Sequence, residues 1–308
     1  MKTNSLSAWI LAVRPYSLGN SVILVLIASA LAYTDGGFRP GTALLCLLFA
    51  LLMQCTANLV NDLWDFLKGA DQPDRLGPDR AFAKGYITPR AMKTGIAAFT
   101  LAAGATGLGI LGTAHDMLPY GGWELVAGER RLRAVGIACL VFAYFYTAGP
   151  WPLAYHGLGD VAVILFFGVI PVGFSYYVQT GSWTPEVTLV SLACGLVIDT
   201  MLMVNNFRDR EEDARCRKRT VVVVFGAGVG RWGYLLLGLV PMALCLGLLA
   251  TGRLWAALLP LPYAAAHIAT WRKMVRIDHG EELNVCLGET ARNIMLFGAL
   301  MTIGILLG

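Results

Sequence analysis

Asn61-Asp62-Leu63-Trp64-Asp65 and Asn205-Asn206-Phe207-Arg208-Asp209, the second followed by Asp213, gather oxygen donors where two long apolar segments end. If the first segment continues as a helix through its cluster, Asn58, Asp62 and Asp65 at i, i+4 and i+7 share one face, with Asn61 beside it. The second aligns Asn206, Asp209 and Asp213 in the same way, with Asn205 one turn before Asp209. Two facing stripes of carboxylate and amide oxygens suit Mg²⁺, a hard cation that accepts a few carboxylates together with phosphate oxygens. Basic residues follow each stripe: Lys68, Arg75, Arg80 and Lys84 after the first; Arg208, Arg215, Arg217, Lys218 and Arg219 within and after the second. Carboxylates alone repel a diphosphate. Carboxylates that hold Mg²⁺, flanked by Arg and Lys, bind it and neutralise the charge that builds as it departs.

The elements that position these stripes must lie in lipid. Hydrophobic residues make up 56% of the 308 and charged residues only 14%, far from a soluble average. A span of about 20 apolar residues crosses the hydrocarbon core, and nine windows approach that length: 16–33, 41–60, 94–113, 134–148, 161–181, 187–204, 232–251, 254–271 and 293–308, the fourth and ninth being short. Backbone groups in lipid must be bonded internally and the windows lack strand alternation, so helices are expected. The predicted fold is all-α: one domain over 1–308, a polytopic bundle of nine transmembrane helices. A cleaved signal is not expected here, because Arg14-Pro15 falls inside what would be its apolar run and eight further windows follow the first. Of the 24 Lys and Arg residues, only Arg39, Arg130, Arg131, Arg133 and Arg253 fall on the outer side if the N-terminus is inside, which orients both clusters toward the cytoplasm. The seven cysteines show no paired or metal-ligand spacing and are expected as small buried hydrophobes. The 35 glycines, many inside the windows, suit close helix packing.

Not every charge near the clusters has to act. Asp74, Asp79, Glu211 and Glu212 are expected as solvated loop charges and Arg217 as a topology charge. Asp199 lies inside the sixth window on the face of Asn206 and Asp209; an ionisable group there is costly unless it meets a polar cavity, so it is expected in a cavity wall. A transporter also carries polar residues in helices, but its strongest polar groups gather at the bilayer midplane, whereas these clusters lie at one surface.

The stretches Asn58 to Arg80 (NLVNDLWDFLKGADQPDRLGPDR) and Val204 to Gly226 (VNNFRDREEDARCRKRTVVVVFG) resemble the two signature regions of the UbiA superfamily of intramembrane aromatic prenyltransferases. Trp9 to Pro15 (WILAVRP), Tyr146 to Asp160 (YTAGPWPLAYHGLGD) and Leu283 to Arg292 (LNVCLGETAR) resemble the branch that acts on 1,4-dihydroxy-2-naphthoate. The resemblance implies a central cavity capped on the cytoplasmic side by inter-helix loops. It also implies a reaction in the bacterial cytoplasmic (inner) membrane, in which a polyprenyl diphosphate gives up its chain to 1,4-dihydroxy-2-naphthoate with loss of diphosphate and CO₂, yielding demethylmenaquinone.

Residue by residue, the resemblance and the spacing together nominate Asn61, Asp62, Asp65, Asp71, Asn205, Asp209 and Asp213 as Mg²⁺ ligands. Asn58, Lys68, Arg75, Arg208, Lys218 and Arg219 are the expected diphosphate contacts, and Asp65, Asp209, Tyr146 and Arg14 the expected catalytic groups. Where relatives commonly carry a basic residue after Gly-Pro, this chain has Trp151. The bilayer and the two substrates are the expected partners; no nucleic acid is. A sister enzyme using 4-hydroxybenzoate or homogentisate would differ only in its acceptor.

Overall fold

The computed structural model describes residues 1–71, 75–115 and 122–308, and every regular element among them is helical. Asp74, expected as a loop charge, lies outside the described residues. A short α1 (Leu6–Val13), capped by the Ser5 hydroxyl on the Ala8 N–H, ends at Arg14, whose left-handed backbone (φ 54°) turns the chain into α2 (Pro15–Thr34). Next come α3 (Pro40–Leu67), α4 (Pro89–His115) and α5 (Gly122–Phe145). A loop with one 3-10 turn (Leu153–Tyr155) leads into α6 (Gly159–Ile164), a π-helical stretch (Leu165–Phe174) and α7 (Ser175–Thr180). α8 (Pro185–Arg208), α9 (Arg210–Arg215), α10 (Val221–Phe225), α11 (Ala227–Gly247), α12 (Leu254–Leu258), α13 (Pro262–Ile277) and α14 (Asn284–Leu306) complete the chain. Proline starts α2, α3, α8 and α13, where its fixed φ suits a helix and its missing N–H is no loss.

Among the described residues, six helical spans are long and apolar enough to cross a membrane: 15–34, 40–67, 89–114, 159–180, 185–208 and 227–251. The chain is an integral membrane protein. Nine crossings were expected, and three of the windows fall short of that measure for visible reasons. Arg130, Arg131 and Arg133 sit within α5, α12 stops short of Pro262, where α13 begins, and Glu289 and Arg292 dilute the start of α14. Among the six, α8 is the most enclosed, with 67% of its apolar window buried, and it packs on α11, α14 and the π-helical stretch. Gly168 and Gly195 let the last of these contacts close: a Cβ on Gly168 would lie 2.3 Å from the Gly195 Cα. Beyond that crossing, Phe167 leaves helical geometry (φ −118°, ψ 16°) and Pro171 withholds a backbone donor, so the segment bends.

Candidate active site

Helix α3 runs unbroken to Leu67, so the first oxygen stripe is helical as its spacing requires; the second is interrupted, because α8 ends at Arg208, Asp209 caps it (φ −88°, ψ 5°) and Asp213 lies on α9. The ends of α3 and α8 face one polar pocket of about 160 Å³. Arg14, Asn61, Asp65, Asp71, Arg75 and Arg80 line it from the first half of the chain; Asn205, Asn206, Asp209, Asp213 and Lys218 line it from the second. Tyr146, Thr147 and Asp160, from the loop after α5 and the start of α6, close the remaining side.

Every nominated carboxylate already faces a cation or donor of the protein. Asp65 Oδ1 accepts the Tyr155 hydroxyl at 2.9 Å, and Asp62 Oδ2 accepts the Phe82 N–H at 3.3 Å, with Arg14 3.5 Å from its other oxygen. Asp71 lies between Arg75 (2.8 Å) and Arg80 (3.0 Å), and Asp213 lies 3.2 Å from Lys218. Asp209 is gripped on both oxygens by Arg208, at 2.6 and 2.7 Å. The two contacts on Asp71 are ion pairs without hydrogen-bond alignment, since Arg75 Nε, Arg80 Nε and Asp71 Oδ2 all lack such a partner. Burial therefore prevails and pushes its carboxyl up to about 7 against the pull of Arg75. Burial likewise lifts Asp213 to about 6 despite Lys218. On Lys218 burial opposes the charge, yet Asp213, Asp65 and Asp209 together raise its pKa above the usual lysine value.

Among the described residues no three His, Cys, Asp or Glu side chains converge on a single point. Arginine and lysine lie where the carboxylates would otherwise gather. The donor set nevertheless fits Mg²⁺: it is all oxygen, and Asp62 Oδ1, Asp71 Oδ2 and Asp213 Oδ2 are buried with no hydrogen-bond donor.

Five nominated residues stand outside the pocket lining. Asn58 is corrected to a structural role, because its amide donates to Val13 O (2.8 Å) and Ser17 Oγ (3.0 Å) and its oxygen accepts from Gln54, tying α1 and α2 to α3. Asp62 is fully buried behind the wall. Lys68 donates to Thr147 O at 2.6 Å and sits over the Tyr155 ring, 4.6 Å from its centroid. Arg208 backs Asp209, and Arg219 is exposed. Asp199, expected in a cavity wall, is instead 0% exposed behind it, and neither of its carboxylate oxygens has a partner.

Sequence reasoning missed Tyr155, Thr147 and Asp160. Thr147 Oγ1 donates to Asn61 at 2.7 Å, and Tyr155 touches Asp65 through its hydroxyl while Lys68 and Lys218 both approach its ring. All three lie in the Tyr146 to Asp160 stretch, rich in Gly and Pro, which runs from the end of one apolar window to the start of the next, and that location was the available signal.

Next to the polar pocket lies an apolar cavity of about 520 Å³ between α2, α3, α4, α5 and the π-helical stretch. Leu24, Phe49, Met53, Phe142, Phe166 and Phe167 are among its walls. Phe142 stacks on Phe166 (centroids 3.8 Å apart) and its ring lies 5.4 Å from that of Tyr146, a wall of the polar pocket. An aromatic pair thus joins a charged compartment to a largely apolar one.

The sequence pattern of the UbiA prenyltransferase family matches residues 21–297. The chain is 32% identical to the 1,4-dihydroxy-2-naphthoate octaprenyltransferase of Haemophilus influenzae, over 100% of this chain and 98% of that one. It is also 32% identical to the protein of that name from Escherichia coli, over 97% and 95%. A UbiA homolog from Aeropyrum pernix K1 shares the fold with a TM-score of 0.67 at 15% identity, covering 96% of this chain and 98% of that one. A homolog from Archaeoglobus fulgidus bound to GPP and Mg²⁺ does so with a TM-score of 0.61 at 16% identity, covering 98% and 100%.

Proposed function

Because the chain belongs to the UbiA prenyltransferase family, we propose that it transfers a polyprenyl group from polyprenyl diphosphate to 1,4-dihydroxy-2-naphthoate, releasing diphosphate and CO₂ and giving the quinol form of demethylmenaquinone. The observation that carries this reading is the junction of an oxygen- and cation-lined pocket with an apolar cavity through Phe142 and Tyr146. A lipid-soluble diphosphate ester has these two parts. Full-length identity to relatives named for the same reaction supports the choice of acceptor.

In this reading Asn61, Asp62, Asp65, Asp71, Asn205, Asp209 and Asp213 hold Mg²⁺, and Lys68, Arg75, Arg208, Lys218 and Arg219 serve the diphosphate. Bound there, Mg²⁺ supplies the positive charge that makes diphosphate a good leaving group. The isoprenoid tail occupies the apolar cavity, whose walls exclude the water that would capture an allylic cation. Tyr146 and Phe142 present ring faces to the carbon losing its diphosphate. Arg14, held at the pocket edge by Asn58 O and Asp62, faces the acceptor or the departing charge. The enzyme resides in the bacterial cytoplasmic membrane with its N-terminus and the pocket on the cytoplasmic side, as the basic residues favour.

The test offers the purified protein Mg²⁺, a polyprenyl diphosphate and several aromatic acceptors side by side. Pyrophosphate release with a prenylated, decarboxylated naphthoquinol is expected. Product with 4-hydroxybenzoate or homogentisate alone would overturn the acceptor; uptake into vesicles without any covalent product would overturn the reaction.

A further inference from the structure

The last helix adds nothing to the pocket lining, yet its first residue joins both rims. Arg208 Nη1 donates to Asn284 Oδ1 at 2.9 Å, and Asn284 Nδ2 donates to the Leu76 carbonyl at 2.8 Å. The other edge of the same guanidinium, Nε and Nη2, grips Asp209, whose Oδ2 also lies 3.8 Å from Arg75. Arg208 is 3% exposed and packs so closely on Gly77 that a Cβ there would come within 2.6 Å of Nη2. One amide side chain thus links the end of α8, the segment that follows the α3 cluster and the start of α14. An arginine left to itself loses much rotamer freedom when it binds. Here that freedom is removed in advance, because the outer nitrogen is held and only one edge stays directed at the pocket carboxylate.

We propose that Asn284 is a positioning residue for diphosphate binding. It fixes Arg208 so that the Nε–Nη2 edge now on Asp209 is presented to a phosphate oxygen once that carboxylate turns to a divalent cation, and through Leu76 it keeps Arg75 in register with Arg208. This rests on reading the pocket as a diphosphate site. The test compares Asn284→Ala and Asn284→Gln in detergent by titrating inorganic pyrophosphate in the presence of Mg²⁺, and separately measures KM for the polyprenyl diphosphate and for the acceptor. Asn284→Ala is expected to weaken pyrophosphate binding and raise KM for the polyprenyl diphosphate by about tenfold each, equivalent to about 1.4 kcal/mol, with KM for the acceptor unchanged within about twofold. Asn284→Gln keeps both amide groups and is expected to recover most of the loss. In an Arg208→Lys background, Asn284→Ala should add little, since the group it positions is gone. Wild-type pyrophosphate affinity in Asn284→Ala, or equal losses for both substrates, would overturn the proposal. Failure of the wild-type protein itself to bind pyrophosphate would instead overturn the diphosphate reading.

Discussion

Gly77 sits against two arginines. A Cβ built on it would lie 2.6 Å from Arg208 Nη2 and 2.7 and 2.9 Å from Arg75 Nη2 and Cζ. Relieving such contacts to an ordinary separation of about 3.5 Å requires a shift of about 0.8 Å. Neither guanidinium has that latitude, because Arg208 is bonded to Asp209 at 2.6 and 2.7 Å and to Asn284 at 2.9 Å, and Arg75 Nη1 is bonded to Pro78 O at 2.7 Å. Moving either one stretches a bond to about 3.5 Å, where it ceases to be a hydrogen bond. A hydrogen bond to a charged group is worth about 1.5–3 kcal/mol, and about 1.4 kcal/mol is tenfold. Gly77→Ala is therefore expected to lower kcat/KM for polyprenyl diphosphate about 10- to 100-fold. The same broken bond should lower stability by about 0.5–2.6 kcal/mol, because Gly77 does not use a left-handed backbone and the alanine recovers about 0.4–1 kcal/mol by stiffening the unfolded chain. Pyrophosphate release at saturating acceptor measures the first quantity and thermal unfolding in detergent the second. A folded Gly77→Ala protein with kcat/KM within twofold of wild type would refute the claim that the two arginines are held where the diphosphate needs them.

Asp65→Asn and Asp209→Asn should each remove most turnover while the protein still inserts in the membrane; wild-type rates in both would end the metal-ligand assignment. Tyr155→Phe keeps the ring beneath Lys68 and Lys218 but removes the donor to Asp65, so the metal-free protein should lose about 1.5–3 kcal/mol of stability, with a smaller loss in saturating Mg²⁺. An unchanged unfolding temperature would count against that bond. Asp199→Leu removes a buried carboxyl that has no partner and should raise the unfolding temperature; a fall would reveal a partner for Asp199. Burial raises Asp71 to about 7 and Asp213 to about 6, above their unfolded values near 4, so they contribute stability that is fully present below about pH 4 and lost as pH rises from there to the folded values of about 6 and 7. The metal-free protein should thus unfold at a higher temperature at pH 5.5 than at pH 8, and Mg²⁺, which needs the ionised forms, should raise that temperature more at pH 8; the opposite trend would refute the assignment.

What the sequence disclosed and what it hid follow one physical division. Helical periodicity is local, so Asp62 and Asp65, or Asn206, Asp209 and Asp213, could be placed on common faces without knowing any neighbour. Apolar runs are local too, and the windows at 187–204 and 232–251 coincide with α8 and α11. Partners are not local. Asn58 carries the same side chain as Asn61, yet Val13, Ser17 and Gln54 consume its hydrogen bonds, and only the turn at Arg14 brings the first two alongside. Asn284 lies 76 positions from Arg208, so no spacing rule connects them. Asp199 is buried and lines neither cavity, one helical turn from the close crossing of Gly168 and Gly195, and that depth is set by packing the sequence does not show.

The pairing of charges also explains how so polar a pocket is tolerated beside lipid. Its walls carry Arg14, Arg75, Arg80 and Lys218 against Asp65, Asp71, Asp160, Asp209 and Asp213, and directly behind them Arg208 pairs with Asp209 and Asp62 with Arg14. In a low-dielectric setting an unbalanced carboxylate cluster would cost several kcal/mol per charge, so acids and bases drawn from both halves of the chain neutralise one another before any ligand enters. A diphosphate arriving with its magnesium counter-charge adds little net charge to that set. In the proposed reading, binding would exchange partners: carboxylates would release arginine and lysine to the phosphate oxygens and hold the metal in their place. Each new contact replaces one already made, and the resting ion pairs Asp71–Arg75, Asp209–Arg208 and Asp213–Lys218 identify the cations that the exchange would free. In the proposed reaction, departure of the diphosphate would reverse the exchange at the polar end, while the hydrocarbon product would lie beyond Phe142 in a cavity whose described walls are mostly apolar, with Arg133 among them.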